Sequence, residues 1–314
     1  MNDGEASFRE GMALLSDPGA AGRWREAITL IDRAAAAGEA EAIERRALFE
    51  CMGIARHPDW NKALDSLTDA AERACLKAQQ QLLLLADDRL ETVSPIVNWR
   101  DVRSRIALGS RLKAPAGRTL SANPLIRTIA GFLTEGECAW LIAAAQPRLE
   151  RAIIYNKETG EAGVHPGRTN QFALFNLLEL DCIVEIIRTR IASALNAPLP
   201  CLEVSQVLRY AVGEEFSLHC DYLDPATMAD EIAARGQRAA TVLVYLNEDF
   251  AGGETSFPEL RLEHRGARGD ALLFSSVDPS GLPDRRTIHA GKPPTQGEKW
   301  LFSQWVRDRL PAAV

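Results

Sequence analysis

The sequence predicts an α+β protein, with an all-α helical-repeat segment followed by a double-stranded β-helix, or jelly roll. Three observations carry this expectation. The first ninety residues are rich in Ala and Leu at helical spacing, and part of them recurs 36 positions later. From Leu202 onward the pattern changes to short apolar runs bounded by Gly, Pro or Asp. Two of those runs carry His219-Cys-Asp221 and, seventy positions on, His289, which separate strands of one sandwich can bring together.

In chain order, residues 1–92 form the expected helical unit. The segment from Trp24 to Ala35 recurs as Trp60 to Ala71, with Ala27/Ala63, Ile28/Leu64, Ile31/Leu67, Ala34/Ala70, Ala35/Ala71 and Ala42/Ala78 in correspondence. Small residues at the contact positions indicate stacked helix-turn-helix units, similar to Sel1-like or tetratricopeptide repeats. Such repeats commonly bind proteins; a plain helical cap on the next domain is the other reading. Residues 93–123, broken by Pro95, Pro115 and Gly117 around a helical stretch from Trp99 to Leu112, read as a connector.

The third segment, residues 124–314, opens on a strand at Ile126. Thr134 and Glu137 have capping-box spacing for a helix to about Ala145. A second amphipathic helix is expected over Glu179 to Leu195, and the polar, Gly-rich stretch from Tyr155 to Thr169 reads as a loop. Strands are expected at Val204–Ala211, Ser217–Asp221, Thr241–Leu246, Ala271–Phe274, Thr287–Ala290 and Trp300–Val306.

Composition narrows the function. With 314 residues, two domains are a better prior than one, and 46% hydrophobic content supplies packed cores. A net charge of −7 argues against a dedicated nucleic-acid binder. The first residues lack a basic stretch followed by an apolar one, and the run Leu82 to Ala86 is far too short to span a membrane. The six cysteines are scattered without a CxxC pair, as reduced thiols are. The expectation is a cytoplasmic enzyme with no membrane or nucleic-acid partner.

In an extended strand the side chains at i and i+2 share a face, so His219 and Asp221 can bind one ion while Cys220 points away. His289 on a neighbouring strand completes two imidazoles and a carboxylate, the facial triad of non-haem Fe(II) oxygenases. Lys299, ten residues beyond, offers a cation to the far end of a dicarboxylate.

Tyr210 stands nine residues before His219; Gly252-Gly-Glu-Thr-Ser-Phe-Pro258 and Gly269 to Phe274 lie between the two histidines; Gly-Phe-Leu-Thr-Glu-Gly-Glu-Cys138 opens the segment. This ordered set resembles the prolyl 4-hydroxylase-type branch of the Fe(II)/2-oxoglutarate-dependent dioxygenases, over about Ile126 to Arg309. The resemblance implies His219, Asp221 and His289 as iron ligands and catalytic residues, with Lys299 pairing the distal carboxylate of 2-oxoglutarate. It implies Tyr210 and Thr255 as further cosubstrate contacts, and O₂ as the second cosubstrate, with ascorbate a candidate auxiliary reductant. The family reaction releases succinate and CO₂ and oxidises an unactivated C–H bond.

For the prime substrate the resemblance points to Glu203, Arg238 and Trp305; Trp305 reads equally as a face for a proline ring or as core. Arg168-Thr-Asn170 resembles the family's Arg-Thr-Ser segment. Phe216 stands where relatives often have Tyr, and Arg307 where a His can occur; both leave the iron chemistry intact and put prolyl specificity in question. A peptide or protein substrate is the first expectation, and a free or carrier-bound small molecule the second. Halogenation is disfavoured, because Asp221 holds the position a halide needs. The alternative from another class is an interaction module whose barrel is a scaffold, but such a scaffold has no physical need for all four of His219, Asp221, His289 and Lys299.

Overall fold

The computed structural model describes residues 3–87, 97–152, 154–155, 162–163 and 167–310. The chain forms two compact units, one of Met1–Leu112 with Asn176–Ile187, the other of Lys113–Phe175 with Arg188–Val314.

The helices of the first unit are α1 (Asp3–Ser16), α2 (Trp24–Ala36), α3 (Ala40–Met52), α4 (Trp60–Glu72), α5 (Leu76–Asp87), α6 (Trp99–Arg105) and α7 (Leu108–Arg111). The 36-residue offset is visible in them: α2 and α4 start that far apart, as do α3 and α5. Ala27, Ile28, Ile31, Ala34 and Ala35 are buried on α2, as are Ala63, Leu64, Leu67, Ala70 and Ala71 on α4. Alanines along these stripes let successive helices approach closely. Gly38 turns out of α2 at φ +89, and the corresponding turn after α4 uses Ala74 at φ +64. A non-glycine residue is strained there by about 1–2 kcal/mol, so the second unit keeps the turn without its glycine. Residues 88–96, and with them the expected boundary at 92/93, lie outside the described residues.

Asn176–Ile187 belongs to this same unit because its backbone is held there. The buried Arg45 guanidinium donates to the carbonyls of Leu177, Leu178 and Leu180 at 3.0–3.1 Å. Gln81 accepts from the Cys182 amide at 3.0 Å, and Lys77 lies 3.7 Å from the Asp181 carboxylate. No helix among the described residues is long and apolar enough to cross a membrane.

The second unit holds α8 (Glu135–Ala145), the latter half of α9 (Cys182–Leu195) and α10 (Ala229–Arg235). The Thr134–Glu137 capping box forms as expected, and the buried Glu137 carboxylate also pairs with Arg190 at 2.8 Å. The strands are β1 (Arg118–Ala122), β2 (Leu125–Ile129), β3 (Glu150–Arg151), β4 (Ile154–Tyr155), β5 (Ala162–Gly163), β6 (Gln171–Phe175), β7 (Ser205–Tyr210) and β8 (Phe216–His219). They continue with β9 (Arg238–Tyr245), β10 (Phe250–Gly252), β11 (Thr255–Phe257), β12 (Leu262–His264), β13 (Ala271–Ser275), β14 (His289–Gly291), β15 (Pro294–Gly297) and β16 (Lys299–Arg307).

The major sheet runs β1-β2-β13-β9-β16-β7-β6-β3 and the minor one β12-β11-β14-β8, with antiparallel pairing throughout. Their inward faces share a core of Leu208, Tyr210, Leu243, Tyr245, Phe257, Leu272, Phe274 and Leu301. This is the expected jelly roll, with details that differ. Arg118–Ala122, read as connector, is the edge strand β1. The second helix begins at Cys182 rather than Glu179. The strand expected over Ser217–Asp221 ends at His219, and that over Thr287–Ala290 begins only at His289 after a 3₁₀ turn at Arg285–Thr287. Residues 156–161 and 164–166 of the expected loop lie outside the described residues.

Candidate active site

The two histidines meet because β8 and β14 pair with His289 directly opposite His219. Their ring centroids are 4.2 Å apart. Each ring is fixed from behind: His219 Nδ1 lies 2.7 Å from the Ser217 carbonyl and His289 Nδ1 3.0 Å from the Thr287 carbonyl. With Nδ1–H donating to a carbonyl, both Nε2 lone pairs face the centre, as metal-ligating imidazoles require. Asp221, in the bend after β8, sets Oδ1 3.6 Å from His219 Nε2 and Oδ2 3.7 Å from His289 Nε2. One ligand atom from each of the three residues lies within 4.8 Å of the others.

Thr241 donates its hydroxyl to Asp221 Oδ2 at 2.6 Å and so orients the carboxylate without the strand geometry first expected for it. Burial alone raises an acid's pKa, but the imidazoles of His289 and His219, with the Thr241 hydrogen bond, hold the Asp221 carboxyl below its usual range. Burial, with His289 alongside, pushes His219 down to about 3. A neutral imidazole pair and an ionised carboxylate are the states in which these groups ligate a divalent ion.

On the adjoining wall Lys299 is directly opposite Tyr210 across β16 and β7. Lys299 is fully buried, and its Nζ has no hydrogen-bond partner among the described residues. It lies over the Tyr210 ring at 5.1 Å and the Tyr245 ring at 5.7 Å. Burial pushes its pKa down to about 7. A buried amine left without a partner is costly, and it fits a site that receives a carboxylate. Gly253 makes room for the lysine: it sits at φ +70, and a Cβ there would stand 3.3 Å from Lys299 Cδ. Thr255 and Tyr210 line the same cleft as the triad and Lys299.

The sequence profile of the 2OG-Fe(II) oxygenase superfamily matches residues 205–307. Among curated relatives, Prolyl 4-hydroxylase 1 of Arabidopsis thaliana is 33% identical over 206 residues, covering 60% of this chain and 71% of that protein. The chain belongs to the 2OG-Fe(II) oxygenases, in their prolyl 4-hydroxylase-like group. Probable prolyl 4-hydroxylase 4 from the same plant is 31% identical over 210 residues, covering 60% of this chain and 69% of its own length. Among solved structures, the viral collagen prolyl hydroxylase of Paramecium bursaria Chlorella virus-1, in its 2-oxoglutarate complex, is 30% identical, with 58% of this chain and 95% of that chain covered and a TM-score of 0.44.

This oxygenase therefore uses Fe(II) and 2-oxoglutarate, and the donor set of His219, Asp221 and His289 suits that ion. Around the cleft mouth the expected substrate residues separate. Trp305 lines the cleft, whereas Glu203 and Arg238 do not. Arg238 is committed to Glu203 through two hydrogen bonds of 2.7 and 2.9 Å, and its guanidinium stacks on the Trp305 ring at 3.6 Å. Arg307 approaches Glu203 Oε1 at 2.6 Å, off the hydrogen-bond direction, while donating to the Gly236 carbonyl and to Glu231. Burial opposes ionisation of Glu203, yet Arg238 and Arg307 hold its pKa low. Phe216 lies flat against the His219 ring, with centroids 3.5 Å apart and 9° between planes. The departure from Tyr thus places an apolar face on an iron ligand.

Several contributors lay beyond the sequence reading. Thr241 orients Asp221. Tyr245 shares a hydrogen bond of 3.1 Å with the Thr255 hydroxyl and donates to the His264 carbonyl at 3.0 Å. Gln206 and Ser303 line the cleft as a directly opposed pair. The signal that finds them is alternation: positions 241, 243 and 245 share one face of β9, and 299, 301, 303 and 305 one face of β16.

Proposed function

We propose that this oxygenase hydroxylates a prolyl or other residue of a peptide or protein, with His219, Asp221 and His289 holding Fe(II). Lys299, Tyr210 and Thr255 hold 2-oxoglutarate in this reading. The observation that carries it is the buried, unpartnered Lys299 ammonium in the cleft that also gathers the triad. Bound iron supplies oxidative decarboxylation of 2-oxoglutarate coupled to C–H hydroxylation. The chain's own residues orient the reactants: Lys299 anchors the far carboxylate, Thr241 steadies Asp221, and the apolar floor of Leu208, Leu243 and Leu301 limits water. Prolyl residues come first as substrate because the curated relatives carry prolyl hydroxylase names.

The 36-residue hairpins support a second part of the proposal. Residues 1–92, of the Sel1-like or tetratricopeptide kind, recruit or position a macromolecular substrate, which no small-molecule oxygenation requires. We place the enzyme in the cytoplasm on its scattered cysteines. The test is mass spectrometry of candidate peptides and cellular proteins for one added oxygen, comparing wild type with His219→Ala. Oxygen addition confined to free amino acids would replace the peptidyl reading with the small-molecule one.

A further inference from the structure

Beyond Leu208 and Leu301 the cleft carries two polar side chains, Gln206 and Ser303. Register places Ser303 opposite Gln206, four residues along β16 from Lys299 on the same face, or about 13 Å at the usual strand rise. Both side chains are more than nine-tenths buried, at 3% and 4% exposure. Neither makes a side-chain hydrogen bond to any described residue. Leu301 and Leu208 separate this pair from the lysine end, and Trp305 lies beyond it.

Arg168 lines the same cleft. Its guanidinium lies over the Phe216 ring at 4.6 Å, and Nε donates to Asn170 at 3.3 Å. Its two terminal nitrogens have no hydrogen-bond partner among the described residues. Among the described residues the acidic and basic side chains lining the cleft are Arg168, Asp221 and Lys299, and an imidazole ligates an ion through a neutral ring's lone pair. Once a divalent ion and 2-oxoglutarate are bound, Lys299 and the ion together offset the dianion and Asp221. Just outside the lining, Arg238 and Arg307 are matched by Glu203 and Glu231. Among the described residues Arg168 is then the charge left without a counterpart, in a cleft that Gln206 and Ser303 also line.

We infer that the prime substrate carries a carboxylate close to the carbon that is oxidised, received by Arg168 and flanked by the Gln206 amide and Ser303 hydroxyl. This rests on the oxygenase reading above and narrows its substrate class. A half-buried guanidinium whose terminal nitrogens have no partner among the described residues prefers a planar, bidentate anion to a single carbonyl. An acidic side chain next to a target proline and the α-carboxylate of a free amino acid are two sources of the same group.

The test measures binding by calorimetry without oxygen, on full-length protein loaded with 2-oxoglutarate and an inert divalent ion. The ligands are a prolyl peptide with Glu beside the proline, its Gln and Lys counterparts, and free L-proline with L-prolinamide. Succinate release in air is measured in parallel. The anionic member of the favoured class should bind about ten- to a hundredfold more tightly than its amide isostere. Arg168→Gln should erase that preference, and Arg168→Lys should retain part of it. If either variant fails to fold, the charge comparison on wild type decides alone. Peptide turnover without charge preference overturns this inference and leaves the peptidyl reading standing. An anion preference confined to free amino acids does the reverse. Absence of binding in both classes overturns both.

Discussion

Thr241 and Asp221 form a 2.6 Å hydrogen bond between strand β9 and the bend after β8, two segments twenty residues apart. Asp221 has left the strand that carries His219, so this contact does what strand alternation was expected to do. It aims the carboxylate at the two Nε2 atoms.

The first prediction follows from that bond. His219→Ala, Asp221→Ala or His289→Ala should abolish turnover and cut metal affinity. Thr241→Val should leave all three ligands in place yet weaken metal binding about ten- to a hundredfold, the usual effect of removing an outer partner. Metal titration of the folded variant checks this, and wild-type affinity in Thr241→Val would show that the bend alone orients Asp221.

Lys299 sets the second. Burial pushes its pKa down to about 7, and a bound carboxylate raises it, so 2-oxoglutarate binding takes up a proton at alkaline pH. Affinity should be full below pH 7 and fall about tenfold per unit above it, until the pKa of the bound state is reached. Lys299→Ala should weaken binding about ten- to a hundredfold and flatten the profile. A pH-independent wild-type dissociation constant would show that the ammonium is already charged before binding.

Gly253 gives the third. Ala in its left-handed conformation costs about 1–2 kcal/mol, and the new methyl would crowd Phe250 at 3.0 Å and Lys299 Cδ at 3.3 Å. Gly253→Ala should therefore raise the 2-oxoglutarate requirement more than it lowers the melting temperature. Thermal unfolding beside cosubstrate titration separates the two effects.

The fourth concerns the helical region. Arg45→Ala leaves the carbonyls of Leu177, Leu178 and Leu180 without their charged donor and should cost about 1.5–3 kcal/mol, read from denaturant unfolding. Deleting residues 1–112 removes the partners that hold Asn176–Ile187, where Cys182, Ile183, Val184, Ile186 and Ile187 are all at most 1% exposed. The truncated protein should aggregate. A soluble truncation that still decarboxylates 2-oxoglutarate would favour a detachable recruitment module.

The sequence by itself determined the chemistry and the architecture. The spacing of His219, Asp221, His289 and Lys299, the 36-residue helical period and the Thr134–Glu137 cap are local or ordered signals, and periodicity records which face each element buries. Tertiary structure alone decided the rest, since pairing register, side-chain commitment and unit membership are long-range. It matched His219 with His289, bound Arg238 to Glu203, opposed Gln206 to Ser303, and drew Asn176–Ile187 into the helical unit through Arg45. None of these has a fixed sequence separation, because each is set by how two distant segments bury their surfaces together. Arg168 shows the difference most plainly: its residue type was legible from the start, but that it meets Phe216 and Asn170 and no carboxylate among the described residues required the tertiary structure.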